Sequence, residues 1–418
     1  MEQPQTETAD ERHGPGREAA GDPGATGSGR TSGGPERQDE DARRTEAFRG
    51  ARRFLWRPPF DRDLGGLLSG LADDARGLGL AGERGDRYGD GVVAVLERRV
   101  AELLGFPDAA FFPTGTMAQQ VALRCWAGRT GSPVVALHPL AHPERHERGA
   151  LSAVSGLRTV HPCDGPGQLT AQDVRDFQEP FGTLMLELPL RDAGFTLPTW
   201  EELQEVVGAA RERDAVVHFD GARLWDCAAH FGRDLAEVAQ LADSVYVSFY
   251  KSLGGLSGAA LAGPAELVEE ARAWRHRYGG QVFQQYPAAV SALAGLEREL
   301  PRLPSYAAHA RVVARALREG FGAEGVPWFR VHPEVPHTHQ FQVWLPYEPD
   351  VLTEAALRQA EKDGTVLFTR WAAAGAQGPG GVAFTEVTVG AAGLEWDARQ
   401  VREAVGGFLE QVRDVAAG

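Results

Sequence analysis

Apolar positions along this chain fall into two rhythms, and their alternation predicts the architecture. From Val92 to Leu104 (VVAVLERRVAELL) they recur at helical spacing with Glu and Arg between them, the pattern of an amphipathic helix. Short runs rich in Val, Leu and aromatics follow at 133–137, 183–188, 215–219 and 244–249. Each reads as a buried strand, and the Glu-, Arg- and Ala-rich stretch from Glu201 to Arg213 between two of them reads as a helix. Strand–helix–strand alternation with buried strands predicts an α/β domain built on a mainly parallel sheet. After about Leu300 the rhythm changes. Helices are expected over 306–320, 353–362 and 398–415, with strands near 339–345 and 382–389, so a smaller C-terminal α+β domain is expected over residues 300–418. Its Gly- and Pro-dense stretch at 375–381 reads as a flexible loop. The large domain is expected over residues 54–299. Residues 1–53 have almost no large apolar side chain before Phe48 and are expected to form a disordered tail.

Composition narrows the function classes. The chain has 418 residues, 43% hydrophobic and 24% charged, ordinary values for a globular protein with a sizeable core. A formal charge of −15 argues against a nucleic-acid binder, which normally shows a basic face, but leaves room for a small anionic cofactor. Three scattered cysteines give neither a disulfide framework nor a zinc knuckle. No apolar run reaches the roughly 20 residues that span a bilayer, and the N-terminus lacks an apolar signal core. A soluble, cytoplasmic protein with no membrane and no nucleic-acid partner is expected.

Candidate chemistry gathers where strands end, the place where open α/β sheets bind ligands. Glu187 lies near the end of one strand, and another runs into Asp220, Gly221, Ala222 and Arg223. A third runs through Ser248 into Lys251, followed by Gly254, Gly255 and Gly258. Upstream, Phe111–Pro113 leads into Thr114, Gly115 and Thr116 at the start of a helical stretch. Taken singly these are weak signals: a lysine is ordinarily a surface residue, Asp220 could be a helix cap, and Gly115 a turn glycine. Together they match the needs of pyridoxal phosphate, which takes a lysine for its aldehyde, an acid for its pyridine nitrogen and a phosphate cradle. Gly115 and Thr116 would supply backbone N–H groups at a helix start, and Ser248 a further hydroxyl. Two rival patterns fail. Lys251–Ser252 lacks the glycine of a P-loop, and Pro139 and Pro143 interrupt the spacing of His138, His142 and His146, so no metal site is expected.

From about Gly85 to Gly295 the chain resembles threonine aldolases of the fold type I pyridoxal-phosphate superfamily, alongside aromatic amino acid β-eliminating lyases. The segments that carry the resemblance are DRYGDG (86–91), FFPTGTMAQQVAL (111–123), LAHPERHERGA (140–150), HFDGARLWD (218–226) and SFYKSLGGLSGAALAG (248–263). It implies that Lys251 is the Schiff-base lysine, that Asp220 pairs with the pyridine nitrogen, and that His142 stacks on the cofactor and can accept a proton. It implies Gly115 and Thr116 around the phosphate, and Arg223 near the cofactor hydroxyl or the substrate carboxylate. Tyr88 and Asp90 would lie in a loop near the site, and Arg275 or Arg277 would reach a phosphate. The implied reaction is cleavage of the Cα–Cβ bond of a β-hydroxy-α-amino acid to glycine and an aldehyde, in a homodimer or homotetramer. Other pyridoxal-phosphate reactions (β-elimination, racemisation, transamination) and a non-catalytic homologue stand as alternatives.

Three departures bear on the substrate. The Arg-Ser-Asp-Thr element that usually opens these aldolases is absent from the corresponding FLWRPPFDRD (54–63). Leu188, Pro189 and Leu190 stand where polar residues are usual after Glu187. The late carboxylate-binding arginine falls near Thr385, with Arg370 the candidate replacement.

Overall fold

A computed structural model describes residues 35–57, 63–374 and 381–417. Most of the loop expected at 375–381 and part of the FLWRPPFDRD segment lie outside the described residues. In chain order the strands are β1 (Arg53–Phe54), β2 (Asp108–Phe112), β3 (Val134–Ala136), β4 (Arg158–Val160), β5 (Thr183–Glu187) and β6 (Val216–Gly221). They continue as β7 (Ser244–Ser248), β8 (Ala259–Gly263), β9 (Arg330–His332), β10 (Gln340–Leu345), β11 (Thr365–Val366), β12 (Ala372–Ala373) and β13 (Ala383–Thr388).

The large sheet has seven strands in the order β2-β8-β7-β6-β5-β3-β4. β3, β4, β5, β6 and β7 run parallel; β8 is antiparallel to both its neighbours, so β2 points the same way as the parallel set. The carboxyl ends of β2, β3, β5, β6 and β7 therefore share one rim. β7 is buried along its whole length, which suits Val245, Tyr246 and Val247 in mid-sheet. The helix Trp200–Arg211 starts where the sequence says it should. Thr199 and Glu202 form a capping box in which each side chain accepts from the other's backbone N–H, at 3.2 and 2.7 Å.

The C-terminal residues build a four-stranded antiparallel sheet, β12-β13-β10-β9, against the helices Leu303–Ala323, Pro349–Asp363 and Ala398–Ala417. Its core, with Phe341, Val343, Phe368 and Phe408, is separate from that of the large sheet. The N-terminal segment differs from the sequence expectation. Residues Pro35–Gly50 form a helix, β1 pairs in parallel with β11, and Phe48 and Phe54 are buried against Ala360 and Val366. Residues 35–57 thus belong to the C-terminal unit; the rest of the expected tail lies outside the described residues. Among the described residues, no helix is long and apolar enough to cross a membrane.

Candidate active site

Four strand ends set the rim. β5 ends in Glu187, whose Cα pairs across the sheet with Asp220 of β6; Asp220 in turn pairs with Tyr246 of β7. Asp220 is buried, and its carboxylate accepts from the Ala222 N–H at 3.2 Å. Burial pushes its pKa up, while the nearby His142 and Lys251 charges pull it down. Lys251, three residues past β7, is half-buried, with its amine surrounded by protein. Burial and then the Arg223 charge hold the amine below the ordinary lysine range. A larger share of it is therefore the neutral, nucleophilic form.

Glu187 fixes two loops at once. Its Oε2 accepts from the His142 N–H at 2.7 Å, and its Oε1 accepts from the Arg191 N–H at 3.1 Å. Burial, and then the Asp220 charge, push its pKa up. Two adjacent carboxyls in one low-dielectric rim resist ionising together. His142 follows β3, and its Nδ1 lies 3.3 Å from Glu147 Oε1, a carboxyl that is itself buried. A carboxylate this close to Nδ1 favours a proton there, which leaves Nε2 with its lone pair, the tautomer of a base. His146 alongside, with its ring 5.2 Å from that of His142, is held by both Asp192 oxygens at 3.0 Å. His138 is occupied structurally, with Nδ1 accepting from the Leu140 N–H and Nε2 donating to the Gly167 carbonyl.

The opposite corner is a cradle. Thr114 caps the helix Gly115–Thr130, its hydroxyl accepting from the Met117 N–H. A Cβ on Gly115 would fall on the Tyr246 hydroxyl, so only glycine fits there. Among the described residues, Ser248 Oγ and Arg223 Nε are buried without a hydrogen-bond partner. Buried polar atoms are normally paired, so both await a ligand. A group with a phosphate, an aldehyde and a protonatable ring nitrogen fits this donor set: Lys251 and Asp220 for the ring system, and a helix start with hydroxyls for the anion.

The structure brings Lys251, Asp220, His142 and Arg223 into one electrostatic cluster. Tyr88 is exposed, its ring edge-on to Phe283 in a loop beside Asp90. Arg370 is exposed next to Arg44 of the N-terminal helix. Arg275 is spent on Glu97 and the Phe111 carbonyl, and Arg277 lies over the Trp274 ring. Sequence reasoning missed Glu147, though a carboxyl five residues after His142 was a usable signal. It also missed two links to the C-terminal domain. Asp226 Oδ2 accepts from Ser252, the residue after Lys251, at 2.6 Å, and faces His339 Nε2 at 3.4 Å. Arg191 binds Glu386 of β13 through Nε and Nη2, at 2.8 and 3.1 Å.

A lysine, an acid and a glycine-started helix on the carboxyl rim of this sheet define a pyridoxal-phosphate enzyme of fold type I. A structure from Listeria monocytogenes EGD-E, provisionally named as an L-allo-threonine aldolase, superposes with a TM-score of 0.78 at 30% identity, over 88% of this chain and 99% of its own. One from Exiguobacterium gives 0.77 at 33% identity, over 89% and 99%. The low specificity L-threonine aldolase of Escherichia coli (strain K12) is 32% identical over 56% of this chain and 72% of its own length. The β-eliminating lyase family model matches residues 81–326, and the chain belongs to that family. It is a pyridoxal-phosphate-dependent carbon–carbon lyase of the threonine aldolase kind.

Proposed function

We propose that the chain cleaves a β-hydroxy-α-amino acid to glycine and an aldehyde, with His142 as the base. The observation that carries this reading is the contact of His142 Nδ1 with the buried Glu147 carboxylate, which puts a candidate base beside Lys251 and Asp220. The bound cofactor supplies an electron sink for the bond broken at Cα. Lys251 would hold it through its amine, and Asp220 would keep its ring nitrogen protonated. Gly115, Thr116 and Ser248 would hold its phosphate. Nε2 of His142 takes the proton from the substrate's β-hydroxyl, directly or through a water. The Cα–Cβ bond then breaks, the β-carbon leaves as an aldehyde, and a proton returned to Cα completes glycine. Tyr88 is assigned to the substrate side and Arg223 to the carboxylate. Arg370 joins them only if it moves from its exposed position. The assembly is a cytoplasmic homodimer or homotetramer.

The test is a pair of measurements on purified protein. Wild type should absorb in the visible edge through bound cofactor and release equimolar glycine and acetaldehyde from threonine, while Lys251→Ala should lose both. The same cofactor band in the two proteins would overturn the Lys251 assignment. A normal band without aldehyde release would overturn the reaction.

A further inference from the structure

We propose that Ser252, Asp226 and His339 form a brace that positions Lys251, with its last member reaching over from the C-terminal domain. The inference rests on the assignment of Lys251 to the cofactor and adds three positioning residues to it.

Two ties flank Lys251 in the chain, and both lead to the short helical turn Leu224–Asp226 that follows β6. On one side Trp225 Nε1 donates to the Ser248 carbonyl, at the end of β7, at 2.9 Å. On the other Ser252 Oγ donates to Asp226 Oδ2 at 2.6 Å. Within the turn that carries Lys251, the Gly255 N–H donates to the Phe249 carbonyl at 2.9 Å, and Leu253 is sunk in the core. The lysine amine rides on a flexible four-carbon stem, so where it can reach depends on how this turn is pinned.

Asp226 is buried, and among the described residues its Oδ1 has no hydrogen-bond partner. A buried carboxylate is costly unless a donor or a cation meets it. His339 is equally buried, with Nε2 3.4 Å from Asp226 Oδ2. Its other nitrogen, Nδ1, lies 2.9 Å from the Val389 carbonyl, which can only accept, so Nδ1 carries a proton. A neutral ring would then turn a lone pair on the carboxylate, acceptor against acceptor. A carboxylate this close favours a proton on Nε2 as well, which makes the ring a cation facing an anion. The Tyr306 ring lies nearly parallel to that of His339, at 17° with 6.1 Å between centroids. Tyr306 stands near the start of the helix Leu303–Ala323, which packs first in the large core and then in the C-terminal one. The C-terminal domain thus meets the Lys251 turn through the Asp226 carboxylate.

The experiment uses the cofactor-loaded full chain. It reads the dissociation constant of pyridoxal phosphate from the visible band, and the share of cofactor that borohydride fixes to the protein. The chain has two lysines, and peptide mass separates Lys251 from the exposed Lys362. Ser252→Ala should weaken cofactor binding about 10-fold and lower the share fixed on Lys251. Asp226→Asn keeps an acceptor for Ser252 and removes only the charge that His339 meets. His339→Gln should therefore weaken binding about 10-fold in the wild type and add no further loss on top of Asp226→Asn. Wild-type affinity and trapping in Ser252→Ala would overturn the brace. So would a His339→Gln loss of the same size in both backgrounds, the mark of a merely structural role. Failure of the Lys251 reading looks different: borohydride would then fix no cofactor on the Lys251 peptide of the wild type.

Discussion

In the proposed reaction His142 depends on a neighbour. Glu147 is more deeply buried than the histidine beside it, and its carboxylate favours a proton on Nδ1. Glu147→Gln would present an amide N–H to Nδ1 and favour the wrong tautomer. With the fold intact, kcat for aldehyde release should fall about 10- to 100-fold with KM little changed. An unchanged kcat in steady-state assays would remove Glu147 from the mechanism. Gly115 makes the opposite point, because there it is the absence of a side chain that matters. Gly115→Ala drives a Cβ into Tyr246, which should cost about 1–3 kcal/mol and weaken cofactor retention. Thermal unfolding and the cofactor content after gel filtration measure the two effects. Lys251, Asp220 and Gly115 stood out in the chain because each lies in the end of a short buried strand or within three residues of it. Arg191 and Glu386 did not, since 195 positions separate them and neither stands in a motif.

At the scale of elements, strands β3, β5, β6 and β7 were visible in the sequence because strands buried on both faces must be apolar almost throughout. The helix Pro35–Gly50 was not visible. Few of its side chains are apolar, and it is held by distant partners, such as Arg43 on Glu354 and Glu361. Where the two domains meet, three histidines gather. His337 lies ring to ring with His230 at 4.4 Å and accepts the Leu197 N–H, while His332 donates to the Ala193 carbonyl. Arg311 and Arg330 are the charges facing them. Burial, then His230, His332 and Arg311, push the His337 pKa from 6.5 down to about 4. In the unfolded chain this group takes up a proton just below pH 6.5, whereas the folded chain refuses it until near 4. Stability is therefore complete above that window and is lost as pH falls through it. Melting temperatures recorded from pH 7 to 4 should decline, and His337→Asn should flatten that decline.

At the scale of the whole molecule, the two cores are distinct, and the second is closed by the chain's own early residues. Phe54 is fully buried under β11, so Phe54→Ala should cost about 3–5 kcal/mol. Denaturant unfolding should show the loss mainly in the C-terminal domain, and an unaltered midpoint would mean that the N-terminal strand adds nothing. The two-domain outline could be read from the change in rhythm after Leu300. This return of the early chain could not, because strand pairing over such a distance leaves no local pattern.

The pairing of β1 with β11 also imposes a timetable. About 310 residues separate the two strands, and at roughly 5–20 residues per second the ribosome needs on the order of 15–60 s to make the second. During that interval Phe48 and Phe54 have no surface to cover, while the seven-stranded sheet can already close. The nascent protein therefore carries a sticky leading end until its last quarter emerges, a period in which a chaperone has something to hold.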